Sequence, residues 1–206
     1  MLVVFINDVK DLPNVVKHIL PYRPESLEMY DDKTIKLALR FLPEFVKLSG
    51  AKNLFSLAIK FLPEFWMALT GGIPSLVLLA EFAGEASPDV ERRLLSANYD
   101  LAKINLKTRI ARSDSDRRKY WAIRHESFNL LRHKLRGIQT IPFIDDLIVP
   151  PEKLGEFLIQ LQHMLEPYKI TYSLSGHAGE GNIHVIPLMK LNDPDTKRII
   201  NELAPK

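Results

Sequence analysis

Apolar and polar residues along this chain follow two different periods, and the periods predict its secondary structure. Short apolar runs bounded by turn residues indicate buried strands, and residues 75–82 (SLVLLAEF) are a clear example. Apolar residues that recur every three or four positions indicate helices, which begin at capping residues such as Asp32. The predicted strands are 2–7, 26–30, 75–82, 105–111, 143–149, 170–174 and 183–188. The predicted helices are 11–20, 32–48, 53–69, 87–103, 114–135, 152–165 and a last one that begins near 193.

The order of these elements predicts the fold class. Strands alternate with helices, but the strands near 170–174 and 183–188 are joined by a tight turn, which only antiparallel strands permit. We therefore predict a single α+β domain over residues 1–206, with an antiparallel sheet, helices mainly on one face and ferredoxin-like units.

The segment 41–70 is the most apolar part of the chain. The pentapeptide Phe-Leu-Pro-Glu-Phe occurs twice in it, at 41–45 and at 61–65, and each internal proline should kink or end a helix. We interpret the segment as core packing or a partner interface, with a peripheral membrane contact as the alternative.

Composition narrows the class of protein. The chain has 206 residues, of which 46% are hydrophobic and 26% are charged, which is ordinary for a globular domain. It contains no cysteine, so disulfides and thiolate chemistry are excluded. A net charge of +3 is too small to indicate nucleic-acid binding. Residues 1–8 resemble a strand more than a signal peptide, so we expect a cytoplasmic protein or one peripheral to the inner face of the membrane.

The positive charge is concentrated in one segment. Residues 103–136 contain eleven Lys and Arg against three acidic residues, which gives this segment a net charge of +8. Such a run is typical of a solvated helix face. The functional alternative is a surface that faces an anionic substrate, cofactor or lipid.

Residues 175–185 (SGHAGEGNIHV) place two histidines on either side of a glycine-rich turn. If the chain reverses symmetrically between Glu180 and Gly181, His177 lies directly opposite His184, with Cβ atoms about 4.5–5.5 Å apart. Two imidazoles at that separation can ligate one zinc, iron, manganese or nickel ion. A third ligand, for which we expect a carboxylate, must then come from elsewhere.

The glycines of this turn bear on the choice between a metal or substrate site and a plain structural hairpin. Gly176, Gly179 and Gly181 permit positive φ angles and close approach of other backbone. A plain hairpin needs that freedom once or twice, so three glycines favour the site, while the plain hairpin stays as the alternative.

Two further stretches, taken with the histidine hairpin, resemble a known family. Residues 120–126 (YWAIRHE) and 143–154 (FIDDLIVPPEKL) precede 175–185 in the order and at the spacing of three motifs. These motifs are similar to those in the C-terminal cap domain of FAD-linked oxidases of the D-lactate dehydrogenase and glycolate oxidase type. The resemblance is specific over residues 118–190.

The resemblance implies a seven-stranded antiparallel sheet and an enzyme that oxidises a D-2-hydroxy acid of the D-lactate or glycolate type by hydride transfer to FAD. By position, His177 and His184 match a pair that ligates a divalent metal (Zn, Mn or Fe). Arg124 matches an arginine that binds the substrate carboxylate, and Asn182 is expected beside the flavin as a cofactor-binding residue. The resemblance assigns no catalytic acid or base to these positions.

The chain also departs from the family pattern. It has no glycine-rich nucleotide fingerprint and no downstream Glu-His-Gly segment. No lysine lies directly before Asp145, where residues 143–146 read FIDD. The missing lysine weighs against the hydroxyglutarate type. We expect a fragment that lacks the FAD-binding domain and the extreme C-terminus and is inactive alone. Asp145 and Asp146 are interpreted as strand-end turn residues, with a general-base pair as the alternative.

Partners follow from the same resemblance. We expect a small 2-hydroxy acid, the FAD-binding domain of the same protein, and an electron-transfer partner or a second copy of the chain. The competing hypothesis is a non-enzymatic, ferredoxin-like module that binds a metal or small ligand and dimerises through its apolar segment.

Overall fold

Eight β-strands form one antiparallel sheet in the computed structural model, which describes residues 1–40, 72–134 and 139–205. The strands are β1 (Leu2–Ile6), β2 (Ser26–Asp31), β3 (Leu76–Glu81), β4 (Lys107–Ile110), β5 (Gln139–Thr140), β6 (Asp146–Ile148), β7 (Thr171–His177) and β8 (Asn182–Met189). The helices of the described residues are α1 (Leu12–Ile19), α2 (Asp32–Arg40), α3 (Ser87–Lys103), α4 (Asp114–Lys134), α5 (Leu154–Leu165) and α6 (Pro194–Leu203). Short 3₁₀ turns occur at Val9–Asp11, Leu20–Tyr22, Pro151–Lys153 and Glu166–Tyr168.

The strand order confirms the predicted class. It runs β4-β1-β3-β2-β7-β8-β5, and β6 also pairs with β8. The first four strands, with α1 after β1 and α3 after β3, form a ferredoxin-like unit in which every neighbouring pair is antiparallel. Within the described ranges the sheet has eight strands instead of the predicted seven. The prediction missed β5, because a strand of two residues is too short to show a period.

Helices cover both faces of the sheet, with the larger core on one side. On that side Leu2, Val4 and Ile6 of β1 pack in a cluster with buried residues of α1, α3, α5 and α6. On the other side Val3 and Phe5 pack in a second cluster with residues of α2 and α4. Four described helices on one face and two on the other agree with the prediction, and the two clusters explain why all five residues of β1 are buried.

Several predicted elements have different lengths in the structure. The strand predicted at 143–149 is reduced to β6, and the strand predicted at 170–174 continues to His177. The predicted helix 53–69, the repeats at 41–45 and 61–65, and the hypothesis of a membrane contact through 41–70 all lie outside the described residues. Within the described part, no helix is long and apolar enough to cross a membrane.

The buried carboxylate of Asp31 joins β2, α2 and β7. Its Oδ1 accepts hydrogen bonds from the backbone N and the Oγ1 of Thr34, at 2.9 and 2.8 Å, and from the backbone N of Leu174 at 3.4 Å. Burial raises the pKa of this carboxyl to about 6, while Lys33 and the Thr34 hydrogen bonds oppose the rise. Asp31 therefore fixes the start of α2 against the sheet at an electrostatic cost.

Two glycines of the β7–β8 hairpin are required by the backbone around them. Gly181 has φ of 76°, and a Cβ there would lie 1.8 Å from the carbonyl oxygen of Val149. A Cβ on Gly176 would lie 2.2 Å from the carbonyl oxygen of Asn182. At Gly179, in contrast, a Cβ would make an ordinary contact of 3.4 Å with Leu27 Cβ.

We expect Gly181→Ala to lower the free energy of unfolding by at least about 2 kcal/mol, because it combines a left-handed backbone with a backbone clash. Gly179→Ala is the matched control, and it should change the free energy by less than about 1 kcal/mol. Urea denaturation of both variants measures the difference. Equal destabilisation would show that the turn does not depend on the Gly181 conformation.

Asp31→Asn should change how stability depends on pH. A carboxyl whose pKa rises from 3.8 when unfolded to about 6 when folded favours folding at low pH. This contribution is lost as the pH rises through 6, and it amounts to about 3 kcal/mol at most. Asparagine keeps an acceptor for the same hydrogen bonds but does not ionise. Relative to wild type, the variant should therefore gain stability between pH 4 and pH 7 in urea denaturation, and a constant difference would contradict the raised pKa.

Candidate functional site

The two histidines of the hairpin lie on one face of the sheet. The register of β7 and β8 pairs His177 with Asn182 and Ser175 with His184. The predicted direct opposition of the histidines is therefore wrong, because the turn is centred one residue earlier. Moving the centre by one residue shifts the pairing by two positions, and side chains two positions apart share a face. The two rings are thus diagonal neighbours, with centroids 5.7 Å apart and planes at 84°.

Each histidine is paired by register with a carboxylate on a flanking strand. Glu28 of β2 lies directly opposite His177, and its Oε1 lies 2.6 Å from His177 Nδ1. Asp146 of β6 lies directly opposite His184, with Oδ1 3.7 Å from His184 Nδ1. An ionised carboxylate only accepts hydrogen bonds, so this short contact is a hydrogen bond when His177 carries a proton on Nδ1. Nε2 is then the nitrogen of His177 with a lone pair for a ligand.

Arg124 reaches the same carboxylate from α4, which covers this face. Its Nε donates to Glu28 Oε2 at 3.2 Å, and the side chains of Arg124 and Glu28 are 12% and 8% exposed. The two oxygens of Glu28 therefore contact different partners, His177 through one and Arg124 through the other. The structure thus brings together Arg124, His177 and His184, the three residues that the sequence motifs single out.

Asn182 lines a cavity together with His177. It is paired by register with His177 on β7 and Ile148 on β6, and its Nδ2 donates to Asp146 Oδ1 at 2.6 Å. Its Oδ1 is buried and has no hydrogen-bond partner among the residues that the structure describes. The adjoining cavity has a volume of about 520 Å³ and is lined by Glu25, Ser26, Glu28, Ile148, His177, Glu180 and Asn182.

The donor atoms fit a metal only in part. Histidines that bind metals commonly donate the other ring N–H to a carboxylate, as His177 does to Glu28. Within residues 1–40, 72–134 and 139–205, however, no group of three His, Asp or Glu is arranged to hold an ion. The histidine pair is therefore half a site at most. For a flavin, the unpartnered Asn182 Oδ1 is an acceptor that a cofactor N–H could use.

Glu28 and Asp146 are the site residues that the sequence analysis missed. Glu28 is a carboxylate between the apolar residues Leu27 and Met29 of β2, a pattern that signals a paired or functional charge. Asp146 is the first residue of β6 and contacts Asn182, so the interpretation as a turn residue omitted its contacts with the site.

About half of the cations of the basic segment are paired within the described part of the chain. Six of them form ion pairs with acidic residues: Lys103 with Asp100, Arg109 with Asp116, Arg112 with Glu91, Arg117 with Asp114, Lys119 with Asp116, and Arg124 with Glu28. Apart from the pairs of the buried Lys119 and Arg124, these contacts fit the interpretation as a solvated face.

Comparisons with known sequences match the chain to one family and to much longer relatives. The family model described as "FAD linked oxidases, C-terminal domain" matches residues 1–206. The chain is 22% identical to D-2-hydroxyglutarate dehydrogenase of Pseudomonas putida over 191 residues, which cover 90% of the chain and 17% of that protein. It is 24% identical to D-2-hydroxyglutarate dehydrogenase of Escherichia coli over 135 residues, which cover 61% of the chain and 13% of that protein. The chain thus spans less than a fifth of these two relatives.

Solved structures share the fold at low identity. An alkyldihydroxyacetonephosphate synthase superposes on 98% of the chain with a TM-score of 0.60 and 10% identity, over 37% of its own length. A p-cresol methylhydroxylase with bound substrate superposes on 98% of the chain with a TM-score of 0.58 and 11% identity, over 42% of its length.

Proposed function

The chain belongs to the family of FAD linked oxidase C-terminal domains, and from this premise we propose that it binds the substrate in an FAD-dependent enzyme. The substrate is a D-2-hydroxy acid, which the enzyme oxidises to the 2-keto acid. The observation that carries the proposal is the cluster of Arg124, His177 and His184 around Glu28 and Asp146, beside a cavity.

Arg124 binds the substrate carboxylate in this proposal. Its contact with Glu28 uses Nε, so Nη1 and Nη2 are the nitrogens that would contact a carboxylate in a bidentate arrangement. The burial of the Arg124 side chain makes such a charge-assisted contact stronger than it would be in open solvent.

In this proposal His177 and His184 lie beside the 2-hydroxyl group of the substrate. They would hold a divalent metal (Zn, Mn or Fe), which would supply a Lewis acid for that group. A further ligand must come from outside the described residues, since those do not complete a metal-binding group. FAD, bound mainly by a separate domain, supplies the two-electron oxidant. Asn182 Oδ1 would accept a hydrogen bond from that cofactor.

The charge of the cavity bears on which acid is the substrate. Three carboxylates, Glu25, Glu28 and Glu180, line it. They would repel a second substrate carboxylate, which favours a monocarboxylate of the D-lactate or glycolate type. The names of the curated relatives favour D-2-hydroxyglutarate instead, so D-lactate, glycolate and D-2-hydroxyglutarate should all be tested as substrates.

Arg124→Lys tests the substrate assignment in the full-length protein that contains this domain. Lysine keeps the charge beside Glu28 but loses the planar fork, so we expect KM for the preferred acid to rise about 30-fold, or about 2 kcal/mol. The measurement is flavin-coupled oxidation of D-lactate, glycolate and D-2-hydroxyglutarate with an artificial electron acceptor. Arg112→Lys, on an exposed pair with Glu91, is the control and should leave KM unchanged.

Two results would count against this assignment. An unchanged KM in Arg124→Lys would remove Arg124 from carboxylate binding. If none of the three acids were oxidised by the wild-type enzyme, the proposed reaction would be wrong.

Calorimetric titration with ZnCl₂ or MnCl₂ tests the histidine pair in the isolated domain. We expect micromolar or tighter binding in the wild type and its loss in both His177→Ala and His184→Ala, because each variant removes one of two ligands. His163→Ala is the matched control, since His163 is 75% exposed on α5. Binding that survives in either histidine variant would place the metal elsewhere.

A further inference from the structure

We propose that Glu28 is a positioning residue that fixes His177 and Arg124 relative to each other. The inference rests on the proposed function, because it assigns to Glu28 the alignment of a metal-binding histidine with the arginine that binds the substrate carboxylate. Glu28 itself contacts neither substrate nor metal in this proposal.

The geometry of Glu28 suits this role. The β2–β7 register places it directly opposite His177, and its side chain is 8% exposed. Oε1 lies 2.6 Å from His177 Nδ1, and Oε2 lies 3.2 Å from Arg124 Nε. A carboxylate group is planar and rigid, so a contact at each oxygen fixes the two partners in one arrangement.

The contact with His177 also selects a tautomer. A carboxylate that accepts from Nδ1–H keeps the proton on Nδ1 and leaves the lone pair on Nε2. The same arrangement orients ligating histidines in many metal sites, and its loss typically lowers metal affinity 10–100-fold. We infer that Glu28 prepares the Nε2 atom of His177 for ligation before a metal arrives.

Asp146 provides an internal comparison. It is opposite His184 in the same way, but its side chain is 66% exposed and its Oδ1 lies 3.7 Å from His184 Nδ1. At that distance and exposure it is a weak constraint. The two carboxylates should therefore differ in their effects, although both face a histidine of the pair.

The first experiment measures the tautomer and needs no metal. We would record the imidazole ¹⁵N shifts at pH 8.5 in the wild-type domain and in Glu28→Met, which removes both acceptors at similar side-chain length. We expect His177 to be the Nδ1–H tautomer in the wild type and to shift toward Nε2–H in the variant, while His184 stays unchanged. If His177 has the Nε2–H form in the wild type, or the same form in both proteins, the proposal is wrong.

The second experiment measures zinc affinity by calorimetry in Glu28→Gln. This variant keeps the shape of the side chain, so it tests the proposal even if Glu28→Met does not fold. We expect a loss of about 10–100-fold for Glu28→Gln. Asp146→Asn, the matched control, should lose less than about threefold. Equal affinity in wild type and Glu28→Gln would refute the positioning role while leaving the metal site intact. If the wild type binds no zinc, the metal part of the proposed function fails, and the tautomer measurement alone decides the role of Glu28.

Discussion

The antiparallel pairing of β2 with β7 is the contact on which the site depends. It joins the ferredoxin-like unit to the histidine hairpin, and it is the step in the strand order that connects the two parts of the sheet. Three residue pairs define it: Glu28 with His177, Met29 with Gly176, and Tyr30 with Ser175. A slip of one residue would turn Glu28 to the opposite face and leave His177 without its carboxylate. Gly176, which lies opposite Met29 in this pairing, is required by the next strand, because a side chain there would collide with the backbone of β8.

The same strand holds two buried carboxylates that are stabilised differently. Glu28 has a separate donor for each oxygen, His177 and Arg124, on the face covered by α4. Asp31 has three donors on Oδ1, while within the described ranges its Oδ2 has no hydrogen bond and lies 3.7 Å from Lys33. Burial therefore raises the pKa of Asp31. A strand with both groups is less stable than an apolar one would be, which is expected where a sheet carries a functional site.

The periodicity of apolar residues was enough to predict the fold class, because long apolar runs and helix caps are local signals. The prediction failed where an element is very short or where its pairing depends on a residue far away in the sequence. Strand β5 has two residues, and the pairing of Glu28 with His177 joins positions 149 apart in sequence. The hairpin register was wrong because a glycine-rich turn does not fix its own centre. The prediction that both histidines lie on one face of the sheet was nevertheless confirmed. Side chains alternate between faces along a strand, so an error of two positions leaves each side chain on the same face. Asp146 was missed as a site residue because a carboxylate at a strand end resembles a turn residue.

In the proposed enzyme, the arrangement around Glu28 would allow a buried arginine to bind an anion. If Arg124 faced Glu28 with Nη1 and Nη2, a substrate carboxylate would have to displace Glu28. The observed contact is through Nε, which leaves the bidentate edge of the guanidinium out of that contact. In this proposal Glu28 would set the plane of the guanidinium and offset its charge in the absence of substrate. In the proposed enzyme, substrate binding would add an anion to a cluster in which Arg124 and the histidine pair are already aligned. That alignment would reduce the conformational entropy that the side chains lose when substrate binds. It would also place the substrate hydroxyl beside the histidine pair whenever Arg124 holds the carboxylate.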